Sequence, residues 1–257
     1  MGLGTWQLYG SKAMDRAVDA AIASNYRLFD SASSYGNEKE LGNALQRHLK
    51  SGAIRRDDIH ITTKINPTST PNVAKTLNTT LQRLQLDHVD LLLVHRPPYR
   101  KEGQKNMWLA VEDMVKAGKA RSIGVSNYEI SHLEEMKKFA SHWPPAVNQI
   151  EFHPRINRDA LFYYMRENGI FLQAYSSLNP MYPFHYWYLM WEPKVRDMAK
   201  KYGVKPPAVL LSYALTLGAG VIPKSTNAEH IRDNYECVFK LTDEDIQQLN
   251  TLVKRHH

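Results

Sequence analysis

Cysteine is nearly absent, with Cys237 the single one in 257 residues. That excludes an internal disulfide and a zinc site built on cysteines. No apolar run approaches the roughly 18 residues of a membrane-spanning helix. The start, MGLGTWQLYG, lacks the basic opening and long apolar stretch of a secretory signal. A cytoplasmic, reducing compartment without membrane association is therefore expected. Zinc-finger spacing, an RNP-like motif and a basic heptad region are missing too. The net charge of +7 thus reads as a solvated basic surface, suited to a polyanionic small ligand rather than to nucleic acid. The basic residues are scattered, and HLKSGAIRR (48–56) is their densest stretch.

What is present is alternation. Short β-branched or apolar runs recur at 1–6, 26–30, 59–64, 89–95, 122–126, 146–151, 171–176 and 220–224. Between them lie helical patterns near 12–24, 37–49, 71–84, 104–117, 129–140, 158–168, 192–202 and 227–235, with a last one at 242–254. Ser131 and Asn157 read as helix starts, and Gly118, Gly169 and Gly203 as stops. The nearly all-apolar VDLLL (89–93) suits a parallel strand covered on both faces. Eight strands alternating with eight helices predict one (β/α)8 TIM barrel over 1–257, with the final helix appended. An open doubly wound sheet is the alternative. GLGTW lacks the G-x-G-x-x-G turn and downstream acid of that fold, which counts against it.

In a parallel barrel the C-terminal strand ends surround a common mouth, and polar residues collect there. Asp30 ends strand two, and Tyr35 lies in the loop that follows. Lys64 ends strand three and His95 strand four. Ser126 and Asn127, then Gln149 and Glu151, then Tyr175 and Ser176, then Lys224 and Ser225 occupy the next four ends. Four of these residues form a proton-transfer set. A free tyrosine holds its proton at neutral pH, and a neighbouring Lys64 ammonium is expected to lower the Tyr35 pKa. Asp30 would keep Lys64 charged, and His95 would orient a substrate oxygen. Each has a structural alternative: a loop tyrosine, an ordinary Asp30–Lys64 ion pair, a histidine that satisfies backbone. Glu151 reads as structural. The functional reading rests on convergence of all four.

Those stretches resemble the aldo-keto reductase superfamily, including its aldose reductase and prostaglandin F synthase-like members. The matching segments are GLGTWQ (2–7), FDSASSYGNEKELG (29–42), ITTK (61–64), LLLVHRP (91–97), IGVSNY (123–128), NQIEFHP (148–154), AYSSL (174–178) and IPKSTNAEHIRDN (222–234), in the family's order. The resemblance implies a catalytic tetrad of Asp30, Tyr35, Lys64 and His95, with Tyr35 as general acid. It implies an NADPH site, with NADH as the weaker alternative. Ser126, Asn127 and Gln149 would hold the nicotinamide amide, and Tyr175 would stack on the ring beside Ser176. Lys224 and Ser225 would meet the 2′-phosphate, Asp233 and Asn234 the adenine. Trp6 would line the substrate pocket. Metal is not implied, and a monomer is the expected state.

Three features depart from the family pattern. His230 stands where an arginine often clamps the 2′-phosphate, so NADPH preference is expected to rest on Lys224 and to be reduced. Arg96 follows the tetrad histidine where an aromatic is common; it either faces the mouth and attracts an anionic or polyol substrate, or ion-pairs at the surface. The family's N-terminal hairpin and long C-terminal loop are missing from these 257 residues, and the aromatic stretch 179–191 either walls the pocket or covers the barrel. The function expected is NADPH-dependent reduction of aldehydes or ketones to alcohols. The alternatives are a nucleotide-binding regulatory or structural protein with little turnover and, last, a metal-dependent hydrolase using Asp30, His95, Glu151 and His153.

Overall fold

The computed structural model describes residues 1–67, 72–156, 158–178 and 189–253. Eight strands form one parallel sheet in chain order: β1 (Gly2–Gly4), β2 (Leu28–Asp30), β3 (His60–Ile65), β4 (Val89–Val94), β5 (Ala120–Ser126), β6 (Val147–Glu151), β7 (Phe171–Tyr175) and β8 (Gly220–Val221). Each successive pair is joined by a parallel ladder. The sheet curls into a nearly closed barrel, and Gly4 N–H donates to Pro223 O at 3.0 Å across the last gap. A Cβ on Gly4 would stand 2.6 Å from Ile222 O, so only glycine lets these edges approach. β8 is shorter than the 220–224 expected. Pro223 cannot donate to a ladder, but its carbonyl still accepts from Gly4.

Helices cover the outside: α1 (Ser11–Ala23), α2 (Glu38–Lys50), α3 (Val73–Leu84), α4 (Lys101–Lys116), α5 (Ile130–Lys137), α6 (Asp159–Glu167), α7 (Pro193–Tyr202), α8 (Pro206–Thr216), α9 (Ala228–Glu236) and α10 (Asp243–Asn250). Gly118, Gly169 and Gly203 lie just past helix ends with φ of 67°, 69° and 65°, the left-handed geometry that stops a helix cheaply at glycine. Two expectations need correction. Ser131 lies inside α5. The cap is Glu129, whose backbone N–H donates to His132 Nδ1 at 3.1 Å. The second miss is α8, which the alternating pattern did not contain. Its residues Ala208–Ala214 are buried without a break, so no polar face marks a helical period. Prolines at its first two positions start it, since those N–H groups would have no helical partner.

The core lies between the sheet and this helical layer. In β4, Val89, Leu92, Leu93 and Val94 are all buried, as expected of a parallel strand covered on both sides. Asp90, the second residue of that strand, is buried as well. It accepts from Arg56 and from Ile61 N–H, both at 2.8 Å. Both bonds reach Oδ2, while Oδ1 makes no hydrogen bond among the described residues and faces Arg121 at 3.4 Å. Two arginines thus balance this buried carboxylate on the side of the barrel opposite the strand ends that carry the site. Asn157 and residues 179–188 of the aromatic stretch lie outside the described residues. Of that stretch, Leu189 is buried in the core, Met190 faces the cavity and Trp191 is exposed.

Candidate active site

A cavity of about 790 Å³ opens over the C-terminal ends of the strands. That is room for a drug-sized or larger ligand. Every residue assigned to the reductase site in the sequence lines it except Lys64, which lies beneath it. The register explains the gathering. Asp30 pairs with Thr62, Lys64 with Leu93, and Ser126 with Gln149, so parallel strands set their last residues at one height.

Lys64 is wholly buried and uses all three of its N–H donors. Nζ donates to Asp30 Oδ1 at 2.5 Å, to Ser31 O at 2.9 Å and to Tyr35 Oη at 3.2 Å. Burial alone would lower the lysine pKa, but Asp30 and Tyr35 outweigh it and push it up. The ammonium is therefore held charged in the core. Because Tyr35 Oη accepts from Lys64, its own O–H is directed away from the lysine, towards the cavity. The expected lowering of the Tyr35 pKa is corrected. Burial raises it and outweighs the opposing effect of Lys64, while Asp30 raises it further. The lysine charge is largely matched by Asp30, which leaves Tyr35 a protonated phenol.

His95 is half-buried with its ring 5.8 Å from that of Tyr35, edge to face. Burial, then the charges of Lys64 and Arg96, push its pKa down to about 4. The imidazole is thus neutral at pH 7. Its Nδ1 is buried without a partner among the described residues. The tautomer carrying its proton on Nε2 then offers one donor beside the Tyr35 hydroxyl.

Next to these groups runs a shelf of fixed amides. Gln149 Nε2 donates to Asp30 Oδ2 and to Gln173 Oε1, both at 2.7 Å, and its Oε1 accepts no hydrogen bond among the described residues. Ser126 Oγ donates to Gln149 O at 2.8 Å. Asn127 donates to His95 O at 3.0 Å and to Ser126 Oγ at 3.1 Å, and accepts from Tyr175 Oη at 2.7 Å. Asn127 (φ 62°) and Ser176 (φ 54°) are left-handed without being glycine. Such strain of order 1–3 kcal/mol persists only where surroundings hold it, often at functional sites. Burial, and secondarily Glu151, push Tyr175 up to about 12, so its hydroxyl stays a donor to Asn127.

The other side of the cavity comes from the end of β8 and from α9. Lys224 is exposed there and makes no ion pair among the described residues. Ser225, His230, Asp233 and Asn234 share that wall. Sequence reasoning missed Lys205, which also lines it and donates to Glu229 at 2.8 Å and Asp233 at 2.7 Å. It missed Gln173 as well, whose inward position follows from strand alternation with Ala174 and Tyr175. Lys205 left no comparable signal, because it precedes the unforeseen α8. The ligand types of the hydrolase alternative do not converge. Asp30 is paired with Lys64, Glu151 lies 3.1 Å from His153, and no group of three such side chains among the described residues could hold a metal.

Comparison with known proteins agrees with this geometry. The family model described as Aldo/keto reductase family matches residues 1–254. Aldo-keto reductase family 4 member C11 of Arabidopsis thaliana is 38% identical over 254 residues, covering 92% of this chain and 79% of that protein. The NAD(P)H-dependent D-xylose reductase I,II of Candida tropicalis is 34% identical, covering 98% and 88%. Among solved structures, aldose reductase from Giardia lamblia superposes with a TM-score of 0.89 at 31% identity, covering 97% of this chain and 90% of that one. Barrel, cavity and sequence agree: the chain belongs to the aldo/keto reductase family.

Proposed function

We propose that this protein reduces aldehydes or ketones to alcohols with NADPH, and that Tyr35 delivers the proton. The observation that carries this reading is the buried chain Asp30–Lys64–Tyr35, which ends in a phenol O–H aimed at the cavity beside a neutral His95. The donor set fits the dinucleotide. The amide shelf offers Gln149 Oε1, the Tyr175 ring forms a wall, and Lys224 is a cation with no ion pair among the described residues. Ser126, Asn127, Gln149, Tyr175 and Ser176 would hold the nicotinamide, Lys224, Ser225 and His230 the 2′-phosphate, and Asp233 and Asn234 the adenine.

The bound cofactor supplies hydride to the carbonyl carbon, so that R–CHO + NADPH + H⁺ gives R–CH₂OH + NADP⁺. The chain's own residues deal with the oxygen. His95 donates from Nε2 and fixes the direction of the carbonyl. As negative charge grows on that oxygen, the Tyr35 proton moves onto it, and the phenolate left behind is stabilised by the Lys64 Nζ–H already in place. Lys64 does not titrate in this step, because Asp30 holds it charged. The burial that raises the Tyr35 pKa in the resting protein keeps the donor loaded across the neutral range.

Turnover is followed by NADPH absorbance with an aromatic aldehyde, for wild type beside Tyr35→Phe. The expected loss of kcat is about 10²- to 10⁴-fold. Equal rates in the two proteins would remove the acid role from Tyr35. A wild type that binds NADPH tightly but turns nothing over would make this a nucleotide-binding protein instead.

A further inference from the structure

The cavity holds a positive charge that the reaction does not use. Arg96 follows His95 directly, is exposed, and lines the same cavity as Tyr35, His95 and Trp6. It forms no ion pair among the described residues. Nor do the residues outside that description carry a side-chain carboxylate to pair with it: 68–71 read TSTP, 157 is asparagine, 179–188 read NPMYPFHYWY and 254–257 read KRHH. The two carboxylates that line the cavity are both engaged elsewhere, Asp30 by Lys64 and Asp233 by Lys205. The charge of Lys64 is matched by Asp30, so Arg96 is left as the uncompensated cation on the β4 side.

Resting on the reductase reading, we infer that Arg96 anchors a carboxylate on the substrate, so that the preferred substrates are aldehydes bearing a carboxylate a short distance from the carbonyl. A guanidinium is weakly hydrated and presents a planar fork that matches a carboxylate in two parallel hydrogen bonds. Among the described residues it is the single cation of this side, since Lys205 and Lys224 line the opposite wall near α9. One fork suits a singly charged carboxylate rather than a doubly charged phosphate. Arg96 is the neighbour of His95 in the chain, and its side chain lines the same cavity wall region that holds His95 and Tyr35. A carboxylate on Arg96 therefore sits near enough to fix its own carbonyl beside His95 and Tyr35.

The experiment compares kcat/KM for 4-carboxybenzaldehyde and 4-methylbenzaldehyde with NADPH in wild type, Arg96→Gln and Arg96→Lys. The two aldehydes differ in intrinsic reactivity, but that difference is common to all three proteins and cancels in the ratio. The charged-to-neutral ratio is expected to fall about tenfold in Arg96→Gln, the usual size of a charge-assisted contact, with Arg96→Lys between it and wild type. Rising salt should lower the wild-type ratio and leave that of Arg96→Gln flat. A ratio unchanged within about twofold in Arg96→Gln overturns the anchor while the reductase reading stands, since both aldehydes are still reduced. A wild type that reduces neither overturns both. Matching thermal melts of the three proteins exclude a folding defect as the source of any change.

Discussion

The two sides of the cavity are built on opposite plans. On the β2–β4 side, Asp30 and Lys64 are buried, and each donor of Lys64 meets a protein acceptor. On the β8–α9 side, Lys224 and His230 are exposed and Lys205 is held by two carboxylates at the surface. The first side is wired before any ligand arrives, which suits chemistry that depends on groups fixed in place. The second offers charges that bulk water screens, which suits the reversible holding of an anion. Mutations should therefore damage the first side through stability and rate together, and the second through affinity alone.

The sharpest test of that contrast is Lys64→Met. It strands Asp30 in the core without its cation, and removing one partner of a buried ion pair costs about 3–5 kcal/mol. In a chain of this length the melting temperature should fall by roughly ten degrees, with turnover lost as well. An unchanged melt would show that the buried pair is not wired as described. Next in size is a pH effect from His95. Its pKa lies at about 4 in the folded protein, against about 6.5 unfolded. The unfolded chain binds the proton first as pH falls, so this contribution is complete above about 6.5 and lost towards 4. It amounts to roughly 3 kcal/mol. Melting temperature measured from pH 7 to 4 should drop less steeply in His95→Gln than in wild type, and parallel curves would remove the histidine as the cause. The smallest effect belongs to the exposed side. Lys224→Ala should raise the KM for NADPH about tenfold more than that for NADH, with the melt unmoved. Equal changes for both cofactors would show that Lys224 does not meet the 2′-phosphate.

Much of this was legible in the chain. The strands reveal themselves as short apolar or β-branched runs, with β4 apolar on both faces, and the site because polar residues fall at their C-terminal ends. Asp30, Lys64 and His95 each lie at or near the C-terminal end of an apolar or β-branched run, and the parallel register then levels them. The helix α8 escaped because burial on all sides erases the period that betrays a helix. Lys205 went with it. The pKa of Tyr35 was misjudged for a different reason. A list of neighbours gives the sign of the Lys64 effect but not the depth of burial, and the depth decides. The alternatives for Arg96 were undecidable from sequence, since an arginine's partner is a matter of where distant carboxylates come to rest.

The gap closed by Gly4 and Pro223 has a consequence for how the barrel opens. Along this seam a backbone bond from Gly4 to Pro223 joins the two edges, where the other neighbours share a ladder. Gly4, Ile222, Pro223 and Lys224 also form part of the cavity wall. Any molecule bound along that wall touches both edges at once and works as a clasp across the barrel's weakest join. Occupancy and closure are then thermodynamically linked. Ligand at a hundred times its dissociation constant adds about 2.7 kcal/mol to stability, and the Gly4 amide is where slowed hydrogen exchange would register it first.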